Sequence, residues 1–311
     1  MDRIPVLAPV SPQAHALSAL LIAVFFVLLA IFLLVTGLVT FMIIRYRDRP
    51  GAPEARQIFG WNTLEVIWTL IPIGILAIFS VFMISADRAA DPLVPPGRIP
   101  DLQVVGHQWW WEINYRASGV VAANEIHIPV GKPILIDLRS ADVVHDFWAP
   151  RLGRKIDAVP GHPNMLWIEA DQPGTYMGEC AEFCGVEHTW MRFRVIAQNR
   201  GDFDAWQRTQ LATPLSPTAP DAIAGAKLFT DKTCVNCHAI AGTVANQTVG
   251  PDLSHIASRV MLAGEAAQNT PDELFRWLKQ PDVIKPQSHM PNFKLTDDEA
   301  RELVAYLEGL K

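Results

Sequence analysis

Hydrophobic positions along the chain fall into three successive regimes. Two long apolar runs come first, at residues 16–44 and 66–86, and neither contains a charged residue. Each exceeds the roughly 20 residues that a transmembrane helix needs. Both are long as well as apolar all round, which favours a membrane span over a buried core helix. Helices are therefore predicted over about 16–46 and 64–87. The first run is longer than the apolar stretch of a signal peptide and only Arg3 precedes it, so it reads as a retained span. Residues 1–15 read as a short exposed leader.

From about residue 101 to 196 the pattern changes to short alternating runs broken by Pro and Gly. Strands are predicted near 102–105, 110–115, 125–128, 133–138, 165–169 and 191–196, which implies a β-sandwich or barrel. After about residue 220 the period becomes helical, with helices predicted at 221–229, 271–280 and 297–310. Thr296 and Glu299 form a capping box, followed by Ala300, Leu303, Val304, Leu307 and Leu310 at helical spacing. Proline-rich connectors at 91–100 and 199–220 separate the regimes. The expected organisation is 1–90 for the leader and two spans, 91–215 for the β domain and 216–311 for a small helical domain.

Charge adds orientation. Arg45, Arg47, Arg49 and Arg56 lie between the two spans, and only Arg3 precedes the first. The positive-inside rule puts that loop in the cytoplasm, so both termini and everything after about residue 90 face outward, the periplasm in a bacterium. A net charge of −6 argues against a nucleic-acid partner and is compatible with a basic protein partner.

The chemistry concentrates at the four cysteines. Cys180, Cys184, His188 and Met191 fall within 12 residues, a set of soft donors that selects copper over magnesium or calcium. Two thiolates at this spacing can share two metal ions, and the far side of such a site needs a second imidazole. Cys234, Cys237 and His238 form C-x-x-C-H, the covalent attachment site of a c-type haem. The competing reading, a thioredoxin-like dithiol, needs a βαβ context that the pattern lacks. Two disulfides are the other alternative, but they leave the neighbouring His and Met residues unexplained. A sixth iron ligand is expected at Met290, in a proline-punctuated loop; Met261, in a predicted helix, and His289 are alternatives. The carbonyl of Pro251 is expected to accept from Nδ1–H of His238.

Taken in order, these motifs make the chain resemble cytochrome c oxidase subunit II with a fused C-terminal cytochrome c domain, as in caa-type bacterial oxidases. The resemblance spans nearly the full length. It rests on C-x-E-x-C-x-x-x-H-x-x-M at Cys180–Met191, on His145 to Pro150 upstream, on Gly106 to Glu112 with its three tryptophans, and on Glu65 to Pro72. Gly225, Phe229, the haem motif and Tyr306 match class I cytochromes c. The implied fold is multidomain: a two-helix transmembrane hairpin, a cupredoxin-like β-sandwich and an all-α class I cytochrome c domain. The implied cofactors are haem c and a binuclear copper centre, CuA. Cys180 and Cys184 would bridge the coppers, His145 and His188 would bind one each, and Met191 and the Glu182 carbonyl would be weak axial ligands.

The resemblance further implies that the Glu182 side chain helps hold a magnesium ion at the interface with subunit I. Trp109 would be an electron entry point. Glu65 would mark the mouth of a proton channel in subunit I, or is simply a carboxylate at a helix N-terminus. The implied function is electron transfer in a proton-translocating terminal oxidase of the bacterial inner membrane. Electrons would pass from cytochrome c or an upstream respiratory complex via haem c and CuA to haem a of subunit I, where oxygen is reduced to water. Partners are then subunit I, the other oxidase subunits and the lipid bilayer. A quinol oxidase subunit would lack the copper donors, a nitrous-oxide reductase would add a His-rich catalytic domain, and a copper-delivery protein would not need haem.

Overall fold

The computed structural model describes residues 4–51, 54 and 60–311; Arg3 and Arg56, both used in the orientation argument, lie outside them. Two helices open the chain, α1 (Pro12–Arg45) and α2 (Asn62–Ala90). At 1.5 Å per residue, 34 and 29 residues are long enough for a bilayer core of about 30 Å. Their most apolar windows are unburied within the chain, so large side chains such as Phe25, Phe32, Ile73 and Phe82 are left for lipid or a partner subunit to cover. Pro72 cannot donate to the carbonyl one turn earlier, and Thr69 Oγ1 donates to the Glu65 carbonyl at 2.8 Å in the same stretch.

Among the described residues, those up to Ala14 and from Leu93 to Lys311 form one compact unit, and those between form another. The expected exposed leader is thus corrected. Val10 N–H donates to the Arg151 carbonyl at 3.0 Å, and the Val10 carbonyl accepts from Asp171 N–H at 2.8 Å. Ser11 Oγ donates to the Leu152 carbonyl at 2.7 Å while accepting from Ala14 N–H, which caps α1. The apolar Ala8, Val10 and Ala14 are buried there, a pattern too short to stand out from the adjoining span.

The β domain is a sandwich of two five-stranded sheets. Its strands are β1 (Leu102–His107), β2 (Trp110–Tyr115), β3 (Val121–Ala123), β4 (Glu125–Pro129), β5 (Ile134–Ser140), β6 (His145–Trp148), β7 (Ile156–Ala158), β8 (Asn164–Ile168), β9 (Gly174–Cys180) and β10 (Arg192–Gln198). One sheet runs β3-β2-β1-β5-β8 and the other β4-β10-β9-β6-β7. Alternation puts Val104, Ile113, Ile136 and Leu138 on one inner face and Phe147, Phe193 and Val195 on the other. Trp111 closes the core at the site end, its ring edge-on to Phe147 at 5.5 Å and Phe193 at 5.7 Å.

The expected connector after the sandwich is largely a helix, α3 (Arg200–Leu211). It buries Phe203 and stacks Trp206 on His127 with ring centres 4.0 Å apart. Its polar composition hides this one apolar edge. A non-helical stretch at 213–219 leads to the helical domain: α4 (Pro220–Asp231), α5 (Pro271–Lys279), the short α6 (Pro281–Ile284) and α7 (Asp297–Leu307). The Thr296–Glu299 capping box is present at α7, and Phe229 of α4 meets Tyr306 of α7 edge-on at 5.9 Å. Met261, expected in a helix, lies instead in a hairpin of β11 (Met261–Leu262) and β12 (Ala267–Gln268), turned by three residues of positive φ, Ala263, Gly264 and Glu265.

Candidate metal centres

Three strand ends converge on the first site. The β6–β9 ladder sets Phe147 opposite Cys180, so His145 at the start of β6 lies beside that thiol. Cys180 N–H donates to the Met191 carbonyl at 3.0 Å, joining the end of β9 to the start of β10. His188 sits on the single turn before Met191. The donors gather accordingly. Cys180 and Cys184 sulfurs are 3.7 Å apart, His145 Nδ1 is 4.0 Å from Cys180 Sγ, and His188 Nδ1 is 3.7 Å from Cys184 Sγ. Met191 Sδ is 3.8 Å from Cys184 Sγ, and the Glu182 carbonyl oxygen is 3.3 Å from Cys180 Sγ. Neither cysteine is in a disulfide.

This donor set fits a soft cation. Contact with Cys184 holds Cys180 far below the ordinary thiol range, and the same contact drives Cys184 up. Two thiolates this close repel each other, and a cation between the sulfurs would let both ionise. His145 is fully buried, and its Nε2 is 2.7 Å from Asp142 Oδ1, which leaves Nδ1 for the thiol side. Burial disfavours the imidazolium, but Asp142 and Cys180 outweigh it and the net direction is upward. Space for the ring comes from Gly106: a Cβ there would stand 2.8 Å from His145 Cδ2. Gly106→Ala is expected to displace the ring and weaken metal loading about 10–100-fold, the range for a disturbed ligand-orienting contact; titration of the apo chain with copper reads this directly.

The second site is a cavity of about 220 Å³ in the helical domain, lined by Cys234, Cys237, His238, Met290 and apolar side chains such as Phe229 and Leu303. The expected contact of His238 Nδ1 with the Pro251 carbonyl is present at 2.7 Å, leaving Nε2 for a ligand. Burial pushes the Cys234 thiol up to about 11 and lowers His238, so both stay neutral in an apolar cradle. That chemistry fits a haem: two thiols, one oriented imidazole and dry walls. Met261 and His289 line the same cavity as Met290.

Between the sites lies the Gln108–Trp109 segment. Trp109 indole N–H donates to the Cys184 carbonyl at 3.1 Å, and Gln108 Nε2 donates to the same oxygen at 2.7 Å. Gln108 N–H donates to Asp142 Oδ2 at 2.6 Å. Trp109 also packs on His289 with ring centres 4.7 Å apart. Asp142 escaped the sequence reading, and Gly106 and Gln108 entered it only as members of the Gly106–Glu112 motif, with no role of their own. Glu182 is exposed, and Glu65 lies in the first turn of α2.

Models of three families match in succession: the transmembrane domain of cytochrome c oxidase subunit II at residues 6–85, its periplasmic domain at 118–198, and cytochrome c at 222–311. Cytochrome c oxidase subunit 2 of Alkalihalophilus pseudofirmus is 35% identical over 317 residues, covering 100% of this chain and 92% of that protein. The chain belongs to the cytochrome c oxidase subunit II family. The subunit 2 of Bacillus sp. strain PS3 is 32% identical, covering 86% of this chain and 80% of its own. A crystal structure of the periplasmic domain of subunit II from Bradyrhizobium japonicum matches 38% of this chain and 96% of its own, at 29% identity and a TM-score of 0.36. The protein is thus a subunit II with a C-terminal cytochrome c domain, part of a haem–copper oxidoreductase complex with subunit I in the membrane. Membership of the two soluble families implies a CuA centre and haem c.

Proposed function

We propose that this subunit relays electrons from a cytochrome c donor or an upstream respiratory complex, through haem c and CuA, to haem a of subunit I, where oxygen is reduced to water. Bound copper would supply a delocalised one-electron centre with little reorganisation. Cys180 and Cys184 would bridge its metals, His145 and His188 would bind one each, and Met191 and the Glu182 carbonyl would complete the set. Cys234 and Cys237 would anchor haem c, with His238 and Met290 on the iron and Pro251 orienting the imidazole. The exposed Glu182 carboxylate is proposed to reach a magnesium ion at the subunit I interface. Glu65 is proposed as the mouth of the proton channel of subunit I; the same carboxylate also complements the positive end of α2. The spans dock in the bacterial inner membrane, both soluble domains face the periplasm, and the boundary between those domains falls at about residue 215.

One observation carries this reading: Trp109 lines the haem cavity and donates its indole N–H to the carbonyl of Cys184. A single side chain thereby touches both candidate redox sites. The purified oxidase is expected to hold about two coppers and one haem c per chain, and to turn over with a chemical reductant of haem c in the absence of soluble cytochrome. Strict dependence on added cytochrome c would count against the relay.

A further inference from the structure

Lys285 is buried, at 4% exposure, in the loop between α6 and Met290, although a lysine belongs in water. Its Nζ donates to the Trp109 carbonyl of the sandwich at 2.7 Å. Burial pulls it down to about 8, and the equally buried Glu187, next to His188, opposes that. An ammonium held this way against a backbone carbonyl has no use in ligating copper or haem. It is bonded to a segment that touches both sites.

The β11–β12 hairpin seats Lys285. Glu265 at its turn is almost fully buried and accepts from Arg194 of β10 through both oxygens, Nε to Oε1 at 2.8 Å and Nη2 to Oε2. Glu125 Oε1 accepts from Val260 N–H at 2.7 Å and Met261 N–H at 3.3 Å. Between these anchors, a Cβ on Gly264 would stand 3.3 Å from Lys285 Nζ and 3.6 Å from the Trp109 carbonyl. Buried charge pairs of this kind add little net stability over apolar packing but impose one arrangement, because every alternative leaves a charge unpaired.

We propose that Lys285 is a positioning residue for the relay: with the Glu265 hairpin it locks the Trp109 backbone, so the indole keeps its place between the haem cavity and the Cys184 carbonyl. The cytochrome domain is then a clamped donor rather than a tethered one, and a tether's effective concentration of roughly millimolar understates its coupling. This inference rests on the relay reading of the same residues.

The test uses the complete oxidase with two variants. In Lys285→Met, amide exchange at residues 108–111 and 260–262 is expected to rise at least tenfold, while amides of α4, α7 and β5 keep their protection. The intramolecular rate from haem c to copper is expected to fall at least tenfold, with both absorption spectra and both potentials unchanged. Glu265→Ala, which releases the hairpin from the other side, is expected to give the same pattern and serves if Lys285→Met does not fold. Faster exchange at 108–111 with an unchanged transfer rate would make Lys285 structural glue and overturn the proposal. If the unaltered oxidase passes no electron from haem c to copper, the relay reading itself fails; if it does and neither variant slows transfer, only the positioning role falls.

Discussion

Replacing Cys184 by serine is expected to empty the copper site while leaving the haem in place. Cys184 Sγ lies within 3.7 Å of Cys180 Sγ, 3.7 Å of His188 Nδ1 and 3.8 Å of Met191 Sδ, so it touches three of the other donors. A serine hydroxyl stays protonated near neutral pH and is a hard donor, so it cannot bridge two soft ions. The remaining donors then split into two incomplete groups: His145 and the Glu182 carbonyl with Cys180, and His188 with Met191. Copper is expected to drop from about two per haem to below one, and the mixed-valence spectrum to vanish. Since disturbing a mere outer partner of a metal ligand costs about 10–100-fold, loss of a bridging ligand should cut oxidase turnover by at least about 100-fold. Haem content is the internal control, because Cys234 packs against a separate hydrophobic core and lines its cavity together with Cys237 and His238. A Cys184→Ser oxidase that kept two coppers would remove Cys184 from the site.

How much of this was legible in the sequence depended on whether a residue's role is local. The Cys180–Met191 motif and the haem motif are local, and their spacing alone identifies soft-metal chemistry. The spans were legible because each run is apolar all round and longer than a bilayer core requires. Of the strands that bring the site together, β10 was legible but β6 and β9 were not: β6, which carries His145, is only four residues long, and β9 presents Tyr176, Gly178 and Cys180 to the core, only one of them bulky. Tertiary pairing makes them strands, through Phe147 opposite Cys180, and no propensity announces it. For the same reason α3 read as a linker, since Phe203 packs on Tyr115, and Trp206 on Tyr115 and His127, all from distant strands. Lys285 is the extreme case. It stands 176 residues from the carbonyl it holds, and a lysine in a proline-rich loop reads as surface until the fold is known.

The same limit applies to the sixth iron ligand, where Met290, Met261 and His289 all line one cavity. Their surroundings separate them. Met261 has its amide held by Glu125 within the hairpin that seats against the sandwich, and the His289 ring is engaged on Trp109. Met290 packs on the helical core and leads into the capped helix α7, as a ligand on a short rigid loop should. Met290→Ala is therefore expected to abolish the methionine–iron absorption band, whereas Met261→Leu leaves it intact. Axial ligands set haem potentials over about 0.8 V, and losing a thioether in favour of water should lower this one by on the order of 0.2 V. At about 59 mV per tenfold for one electron, haem c would then be harder to reduce by roughly 10³-fold relative to its donor. Electron entry would collapse although CuA, Trp109 and the clamp are untouched. A redox titration of haem c with turnover measured on the same sample checks both consequences. If instead Met261→Leu loses the band and Met290→Ala keeps it, the iron ligand comes from the hairpin, and the β11 strand that binds Glu125 would also hold the haem.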